Sequence, residues 1–140
     1  MKMKVFTYTL LPALLIAAVV YLIYDEPDPV VKNEVAAFKL SASELIRAFS
    51  DDELHAQSRY VGEVIQVKGP VIETIHSGGA VVLRMGDADE IMAVSSSLRR
   101  DQTSASMHLQ KGEVVTVKGV CNGALMDIVL DNAVLINNER

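Results

Sequence analysis

The sequence predicts a mainly β domain, a five-stranded barrel with a short helical cap, preceded by one transmembrane helix. Three observations predict it. An uncharged apolar run opens the chain. From Tyr60 onward, apolar residues recur with the period of two that is typical of half-buried strands. Two segments fifty residues apart share the pattern Gly-Glu-Val-x-x-Val-Lys-Gly. At 140 residues, half of them apolar, the chain has room for one folded domain.

The apolar run begins at Val5 and ends at Tyr24. A helix of this length rises about 30 Å, the thickness of the hydrocarbon core of a bilayer. The alternative is a cleaved signal peptide, whose apolar region is about 7–15 residues long and is followed by small residues. This run ends in Val-Val-Tyr-Leu-Ile-Tyr. We therefore expect residues 1–24 to form a cytoplasmic tip and an uncleaved signal-anchor helix.

Charges on either side of the span predict its orientation. Lys2 and Lys4 precede it, whereas three acidic residues follow it, at positions 25, 26 and 28. Because cationic flanks stay in the cytoplasm, we expect a single-pass membrane protein with its N-terminus cytoplasmic. The domain would then lie on the periplasmic, or extracytoplasmic, side.

The stretch after the span is predicted to separate the membrane from the domain. Two prolines stop the helix and keep residues 25–29 extended. Residues 30–40 are interpreted as linker or loose helix. We assign residues 25–40 to a stalk and linker, and residues 41–138 to the domain with its helical cap.

Two capping boxes predict the helical cap. Ser41 and Glu44 form the first box, and Ser50 and Glu53 form the second, each with a flanking hydrophobic staple. The expected helices cover residues 42–49 and 51–59. We interpret them as structural elements that pack on the barrel.

Five strands are expected. The repeated segments, residues 61–71 and 111–121, are long strands, and the late glycines Gly69 and Gly119 mark a bend such as a barrel corner. The other strands are predicted at residues 80–85, 91–94 and 128–136, with a helix near residues 104–109. This order of strands and helix is that of the OB barrel.

The phase of the two long strands predicts the barrel core. Ile65, Val67, Val115, Val117 and Cys121 are expected to face inward. Cys121 is the only cysteine, so no disulfide can form within the chain. We interpret it as a buried, inert thiol.

A family resemblance is carried by four stretches of sequence. They are Ser-Glu-Leu at residues 43–45, Tyr-Val-Gly at 60–62, Lys-Gly-Glu-Val-Val-Thr-Val-Lys-Gly-Val-Cys-Asn-Gly at 111–123 and Asp-Ile-Val-Leu-Asp-Asn at 127–132. On these residues the chain resembles the tRNA-anti-like family of bacterial OB-fold proteins, many of them assigned as lipoproteins. The resemblance implies a fold and names no chemistry. This chain lacks an anchoring cysteine after its apolar run, so attachment would be by the helix itself.

No catalytic site, metal site or cofactor is expected. His55, His76 and His108 have no metal-ligand spacing, and zinc needs three or four convergent ligands. The acidic turn at residues 87–90 lacks the alternating oxygen ligands of a calcium loop. The serines at residues 95–97 lack a glycine-flanked nucleophile pattern. We therefore expect that the protein is not an enzyme.

Charge and aromatic content bear on the partner. After the span, eleven Lys and Arg stand against eighteen Asp and Glu, a net charge of −7, opposite to that of a phosphate-binding domain. The aromatics Phe38, Phe49 and Tyr60 lie at or near the cap, so the strands lack stacking platforms for single strands. We expect a membrane-tethered OB module that binds an unknown protein or envelope partner. The alternative is an OB domain for single-stranded or tRNA-like nucleic acid.

Any contact through the usual OB surface would centre on the second and third barrel strands. Arg84 interrupts an apolar strand and is expected to point outward, with Val82 on the same face. His76 in the preceding loop and Met92 on the third strand would border that face. A mildly apolar surface with one cation fits a peptide edge better than a phosphate chain. The alternative is an ordinary solvated sheet face.

Overall fold

The computed structural model describes residues 15–19 and 31–136. The elements in chain order are β1 Phe38–Ser41, α1 Ala42–Asp51, α2 Glu53–Tyr60, β2 Val64–Ser77, β3 Ala80–Met85, β4 Val94–Leu98, a 3-10 turn Arg100–Gln102, α3 Thr103–Ser106, β5 Val114–Ala124 and β6 Ile128–Ile136. The sheet order is β1-β2-β3-β4-β6-β5, and β2 also pairs with β5, which closes a five-stranded barrel. The β4–β6 pair is parallel. The mainly β OB architecture predicted from the sequence is confirmed.

The predicted transmembrane span lies largely outside the described residues. Of residues 5–24, only residues 15–19 are described, and they are helical and exposed. Within the described ranges, no helix has the length and apolar character needed to cross a bilayer. The span therefore stays a prediction.

Barrel closure depends on β2, which pairs with two neighbours in turn. Residues 64–70 pair with β5, and from Val71 onward the strand pairs with β3. Pro70 has no N–H to donate, and the register shifts between Val71 and Glu73. Gly69, where the sequence predicts a bend, lies two residues before this change of partner.

The two strand glycines allow close approaches that a side chain would block. A Cβ on Gly69 would lie 2.7 Å from the Cβ of Ala42 in α1. A Cβ on Gly119 would lie 3.0 Å from the carbonyl oxygen of Asp131 and 3.2 Å from the Cβ of Ala133. Because interiors are close-packed, the helical cap and β6 can sit this near only against glycine.

The core predicted from strand phase is confirmed. Ile65, Val67, Val115, Val117 and Cys121 are all buried in one hydrophobic cluster. Helix α1 adds Leu45, Ile46 and Phe49, and β3 adds Val81, Leu83 and Met85. Burying one such aliphatic side chain contributes about 1.5–3 kcal/mol.

The first capping box is confirmed and starts α1. Ser41 Oγ accepts a hydrogen bond from the backbone N–H of Glu44 at 3.1 Å. Glu44 Oε2 accepts one from the N–H of Ser41 at 2.7 Å. Two otherwise unsatisfied donors of the first turn are therefore paired.

The second capping box is wrong. Ser50 lies inside α1, and Asp52 caps α2 by accepting a hydrogen bond from the N–H of His55 at 3.1 Å. Leu54 is 81% exposed, so it is not buried as a staple residue would be. The buried side chain of Phe49 keeps the last turn of α1 on the core, which moves the cap beyond Ser50.

Residues 31–41 differ from their interpretation as linker or loose helix. β1 adds a parallel strand beside β2. Val31 is fully buried, and the Nζ of Lys118 donates hydrogen bonds to the carbonyl oxygens of Lys32 at 2.9 Å and Glu34 at 2.8 Å. Local sequence does not predict this segment, because its partners lie on strands far along the chain.

The third barrel strand begins three residues later than predicted. Of the expected strand at residues 91–94, only Val94 belongs to β4, and the residues before it form a loop. In the pairing with β3, Met85 lies opposite Val94, so the serines at residues 95–97 become strand residues. Pairing and burial here override the weak strand preference of serine.

The close approach of α1 to β2 gives a test. We expect Gly69→Ala to destabilise the domain by about 1–3 kcal/mol, because its Cβ overlaps Ala42. The measurement is urea unfolding followed by circular dichroism.

The matched control removes the Cβ of Ala42, the atom that obstructs a side chain at Gly69. Ala42→Gly combined with Gly69→Ala should recover part of the loss, as a coupled pair does in a double-mutant cycle. Strictly additive effects of the two substitutions would show that the clash is not the cause.

Candidate binding surface

The outer face of β3 carries two of the predicted site residues. Val81, Leu83 and Met85 are buried, whereas Val82 and Arg84 alternate with them and are partly exposed. Across the ladder to β4, Ser97 lies opposite Val82 and Ser95 lies opposite Arg84. The outward phase predicted for Val82 and Arg84 agrees with this pattern.

Arg84 is bound by two carboxylates from other strands and loops. Its Nε donates to Asp127 Oδ2 at 2.8 Å, and its Nη2 donates to Asp127 Oδ1 at 3.3 Å. Its Nη1 donates to Glu73 Oε1 at 2.6 Å. A guanidinium held in this way is a structural charge and not a free one.

Asp127 also joins two loops. Its Oδ1 accepts a hydrogen bond from the N–H of Ala93 at 3.1 Å, and the N–H of Ile128 donates to the carbonyl oxygen of Ala93 at 2.9 Å. Burial by itself would raise the pKa of Asp127. Hydrogen bonds from Arg84, Ala93 and Ser95 outweigh burial and hold that pKa below its usual range.

Sequence reasoning missed both carboxylates. Asp127 is 43 residues from Arg84, and no local pattern joins them. A signal did exist for Glu73, because the two-residue turn at Gly78 and Gly79 sets Ser77 opposite Ala80 and so brings Glu73 opposite Arg84.

Three large apolar side chains stand out on the loops that Asp127 joins. Ile91 is 100% exposed in the β3–β4 loop, and Leu125 and Met126 in the β5–β6 loop are 93% and 87% exposed. We call these three residues the loop-tip patch. The hydrogen bonds between Ala93 and the Asp127–Ile128 segment hold the two loops side by side.

The surface around the patch is acidic. Asp87, Asp89 and Glu90 are exposed in the β3–β4 loop, and the Arg84 cluster with its two carboxylates is itself net negative. Residues 86–93 and 122–127 contain no Lys, Arg, Phe, Tyr or Trp. This surface therefore offers neither cations for a phosphate chain nor rings for stacked bases.

His76 and Met92 lie apart from the Arg84 cluster. His76, near the end of β2, lines a cleft of about 410 Å³ with Gly78, Thr103 and Met107. Met92, in a loop and not on a strand, is partly buried and packs against the core. The structure thus brings together Val82 and Arg84 but not all four predicted residues.

No metal or nucleophile cluster appears in the part of the chain that the structure describes. No group of three His, Cys, Asp or Glu side chains there could hold a metal ion. Burial raises the pKa of the Cys121 thiol, which disfavours the reactive thiolate. His108 lines a cleft of about 710 Å³ with other residues of the loop before β5 and with residues of β5 and β6.

The Arg84 cluster predicts a stability effect. We expect Arg84→Met to destabilise the domain by about 1–2 kcal/mol, because Asp127 is left partly buried without its partner. The matched control is Arg99→Met, whose partner Asp101 is an exposed neighbour. It should change stability by less than about 0.5 kcal/mol. Equal effects in urea unfolding would contradict a structural role for Arg84.

The same pair predicts a dependence on pH. Since the pKa of Asp127 is lowered by folding, its contribution to stability is present above the ordinary aspartate value of about 3.9 and is lost as the pH falls through the folded value. The stability difference between wild type and Arg84→Met should therefore shrink as the pH falls from 7 toward about 2. A difference that persists in full in acid would assign the effect to packing.

Comparisons with known proteins place this geometry in a family. Curated proteins give no significant match. A lipoprotein of Klebsiella pneumoniae subsp. pneumoniae MGH 78578, provisionally assigned as nucleic-acid-binding, is similar with a TM-score of 0.61 and 15% identity over 72% of this chain and 93% of that one. Asparaginyl-tRNA synthetase from Pyrococcus horikoshii matches with a TM-score of 0.41 and 16% identity over 54% of this chain and 19% of that one. The tRNA_anti-like family model matches residues 1–135. The chain belongs to the tRNA_anti-like family of OB-fold domains.

Proposed function

We propose that the protein is a membrane-tethered, non-catalytic OB module of the cell envelope that binds a protein segment. The contact would be made by the outer face of β3 and β4 with the loop-tip patch. The observation that carries this proposal is the pairing of Arg84 with two carboxylates. Because Asp127 and Glu73 neutralise it, the face is left acidic and apolar.

The composition of this face indicates the chemistry of the partner. Ile91, Leu125 and Met126 are apolar side chains that water surrounds in the free domain. Covering exposed apolar groups drives association, and charges at the rim add specificity. A segment with apolar residues flanked by Lys or Arg would complement both the patch and its acidic surroundings.

One observation of the structure supports the membrane tether. The described piece of the apolar run, residues 15–19, is helical with all five side chains exposed, so the barrel does not cover it. An apolar helix without protein cover fits a lipid environment. The flanking charges favour a domain on the extracytoplasmic side.

The second candidate function is binding of single-stranded or tRNA-like nucleic acid. It is favoured by the provisional assignment of the Klebsiella lipoprotein. Against it stand the neutralised Arg84 and the absence of aromatic residues from β3 and β4. Since likeness at 15% identity shows the fold alone, we take protein binding as the proposal.

The tether is tested by fractionation. The full-length protein should stay in the membrane pellet after high-salt and alkaline washes and should keep its unprocessed mass, because an apolar helix is held by the bilayer and not by charge. A mature N-terminus found near Asp25 would show that the run is a cleaved signal peptide.

The binding face is tested by pull-down from detergent-solubilised envelope. Replacing Ile91, Leu125 and Met126 by serine should reduce capture of the partner at least about tenfold, since buried apolar anchors dominate interface energies. Arg84 is left unchanged, because its loss would destabilise the domain.

The matched control replaces Leu54 and Met107, which are exposed apolar residues outside the loop-tip patch, by serine. This variant should bind normally. Fluorescence anisotropy with single-stranded oligonucleotides at low salt separates the two candidates. Tight oligonucleotide binding that the triple variant abolishes would replace the proposal with the nucleic-acid function.

A further inference from the structure

A second surface of the barrel has the opposite charge. Lys39 on β1 and Lys118 on β5 both lie opposite Gln66 of β2, and Lys68 of β2 lies opposite Ser41 and Thr116. Cross-strand partners share one face of a sheet. Three lysines on adjacent strands therefore share one outer face, on which Lys39 and Lys68 are exposed and Lys118 is buried; we call it the lysine face.

Lys39 and Lys68 are exposed, whereas Lys118 is only 8% exposed and its Nζ donates to backbone carbonyl oxygens of the domain. Among the described residues, none of the ion pairs involves Lys39, Lys68 or Lys118. Residues 31–136 carry ten Lys and Arg against fourteen Asp and Glu, so this surface stands out from an acidic domain. Concentrated cations on an otherwise acidic protein indicate an anionic partner.

Lys39 and Lys68 flank a shallow cleft of about 290 Å³. Leu40, Ser41, Glu44 and Gln66 complete its lining. Glu44 is the one carboxylate there, and the hydrogen bond that it accepts from the Ser41 N–H lowers its pKa and keeps it ionised. Two ammonium groups against one carboxylate leave the cleft with a net positive charge, and the amide of Gln66 adds a donor for a phosphate oxygen.

The chain reaches the barrel on this same face. Val31 is fully buried, and the Nζ of Lys118 donates hydrogen bonds to the carbonyl oxygens of Lys32 and Glu34. Seven residue steps separate Val31 from Tyr24, the last residue of the apolar run. Even fully extended, they span at most about 25 Å. A membrane anchor would therefore hold the lysine face within that distance of the bilayer.

We propose that the lysine face lies against an anionic phospholipid surface, with a headgroup phosphate in the cleft between Lys39 and Lys68. This orientation rests on the proposed membrane tether. An anionic surface attracts the lysine face and repels the acidic surroundings of the loop-tip patch. Lysines near an anionic surface each add favourable energy that salt screens.

The test uses the full chain in lipid nanodiscs of phosphatidylcholine alone, or mixed with phosphatidylglycerol. Amine labelling is followed residue by residue with mass spectrometry. Lys39 and Lys68 should react about fivefold more slowly in the anionic discs, and high salt should remove the protection. Lys111 is the internal control, because it is exposed in the loop before β5, beyond the residues that pair with β2, so its rate should change much less.

A charge-reversed variant tests orientation. Lys32 serves as the reporter, because it is exposed and its carbonyl oxygen is bound by Lys118 of the same face, so we expect anionic discs to protect it as well. In the variant with Lys39→Glu and Lys68→Glu this protection should be lost, whereas Lys111→Glu should keep it. Circular dichroism checks that both variants fold, which we expect because the substituted residues Lys39, Lys68 and Lys111 are exposed.

The other outcomes overturn the orientation or the tether separately. A chain that does not insert into discs would contradict the tether. If the chain inserts but Lys39 and Lys68 react equally fast in both lipids, the tether stands and the orientation is overturned. Full protection of these two lysines in neutral discs would also overturn it, because the acidic residues within 25–29 of the chain itself would then be their partner. Protection in neutral discs by added inorganic phosphate, or by a single-stranded oligonucleotide, would assign the face to that anion instead.

Discussion

The division of β2 between two partners is the constraint on which the rest of the structure depends. Its first half pairs with β5 and its second half with β3, so one strand closes the barrel. Gly69 lies just before this change of partner, at the point where Ala42 of α1 approaches the sheet. Because the helical cap packs so closely here, a side chain at Gly69 would disturb closure and capping together.

Closure also decides which side chains meet on the outside. The parallel pairing of β4 with β6 brings Asp127 beside Ala93 and so within reach of Arg84. The residue that looked like a free cation is thereby neutralised. The same contact holds the β3–β4 and β5–β6 loops together and presents their apolar tips side by side. A stabilising ion pair and a candidate binding surface therefore depend on one carboxylate.

The barrel separates its charges. Lysines gather on the outer face of β1, β2 and β5, where the N-terminal segment is bound by Lys118. Acidic residues gather around the loop-tip patch. In a tethered protein, this separation would give the domain a preferred orientation, with one face toward lipid phosphate and another open to a partner. The barrel by itself does not set this chemistry, because function resides in the surface residues.

Local patterns in the sequence determined the presence of the barrel strands, the first capped helix and the core phase, but not the end of β2 at Ser77 or the start of β4. Each depends on neighbours a few residues apart: alternation in Ile65 and Val67, or the reciprocal hydrogen bonds of Ser41 and Glu44. Tertiary structure alone decided the attachment of residues 31–41, the start of β4 and the neutralisation of Arg84. Their partners lie 43 to 86 residues away or on another strand. Asp52, and not Ser50, caps the second helix because the packing of Phe49 extends α1. Short-range periodicity carries no information about such distant pairs, since chain closure and burial select them only when the barrel forms.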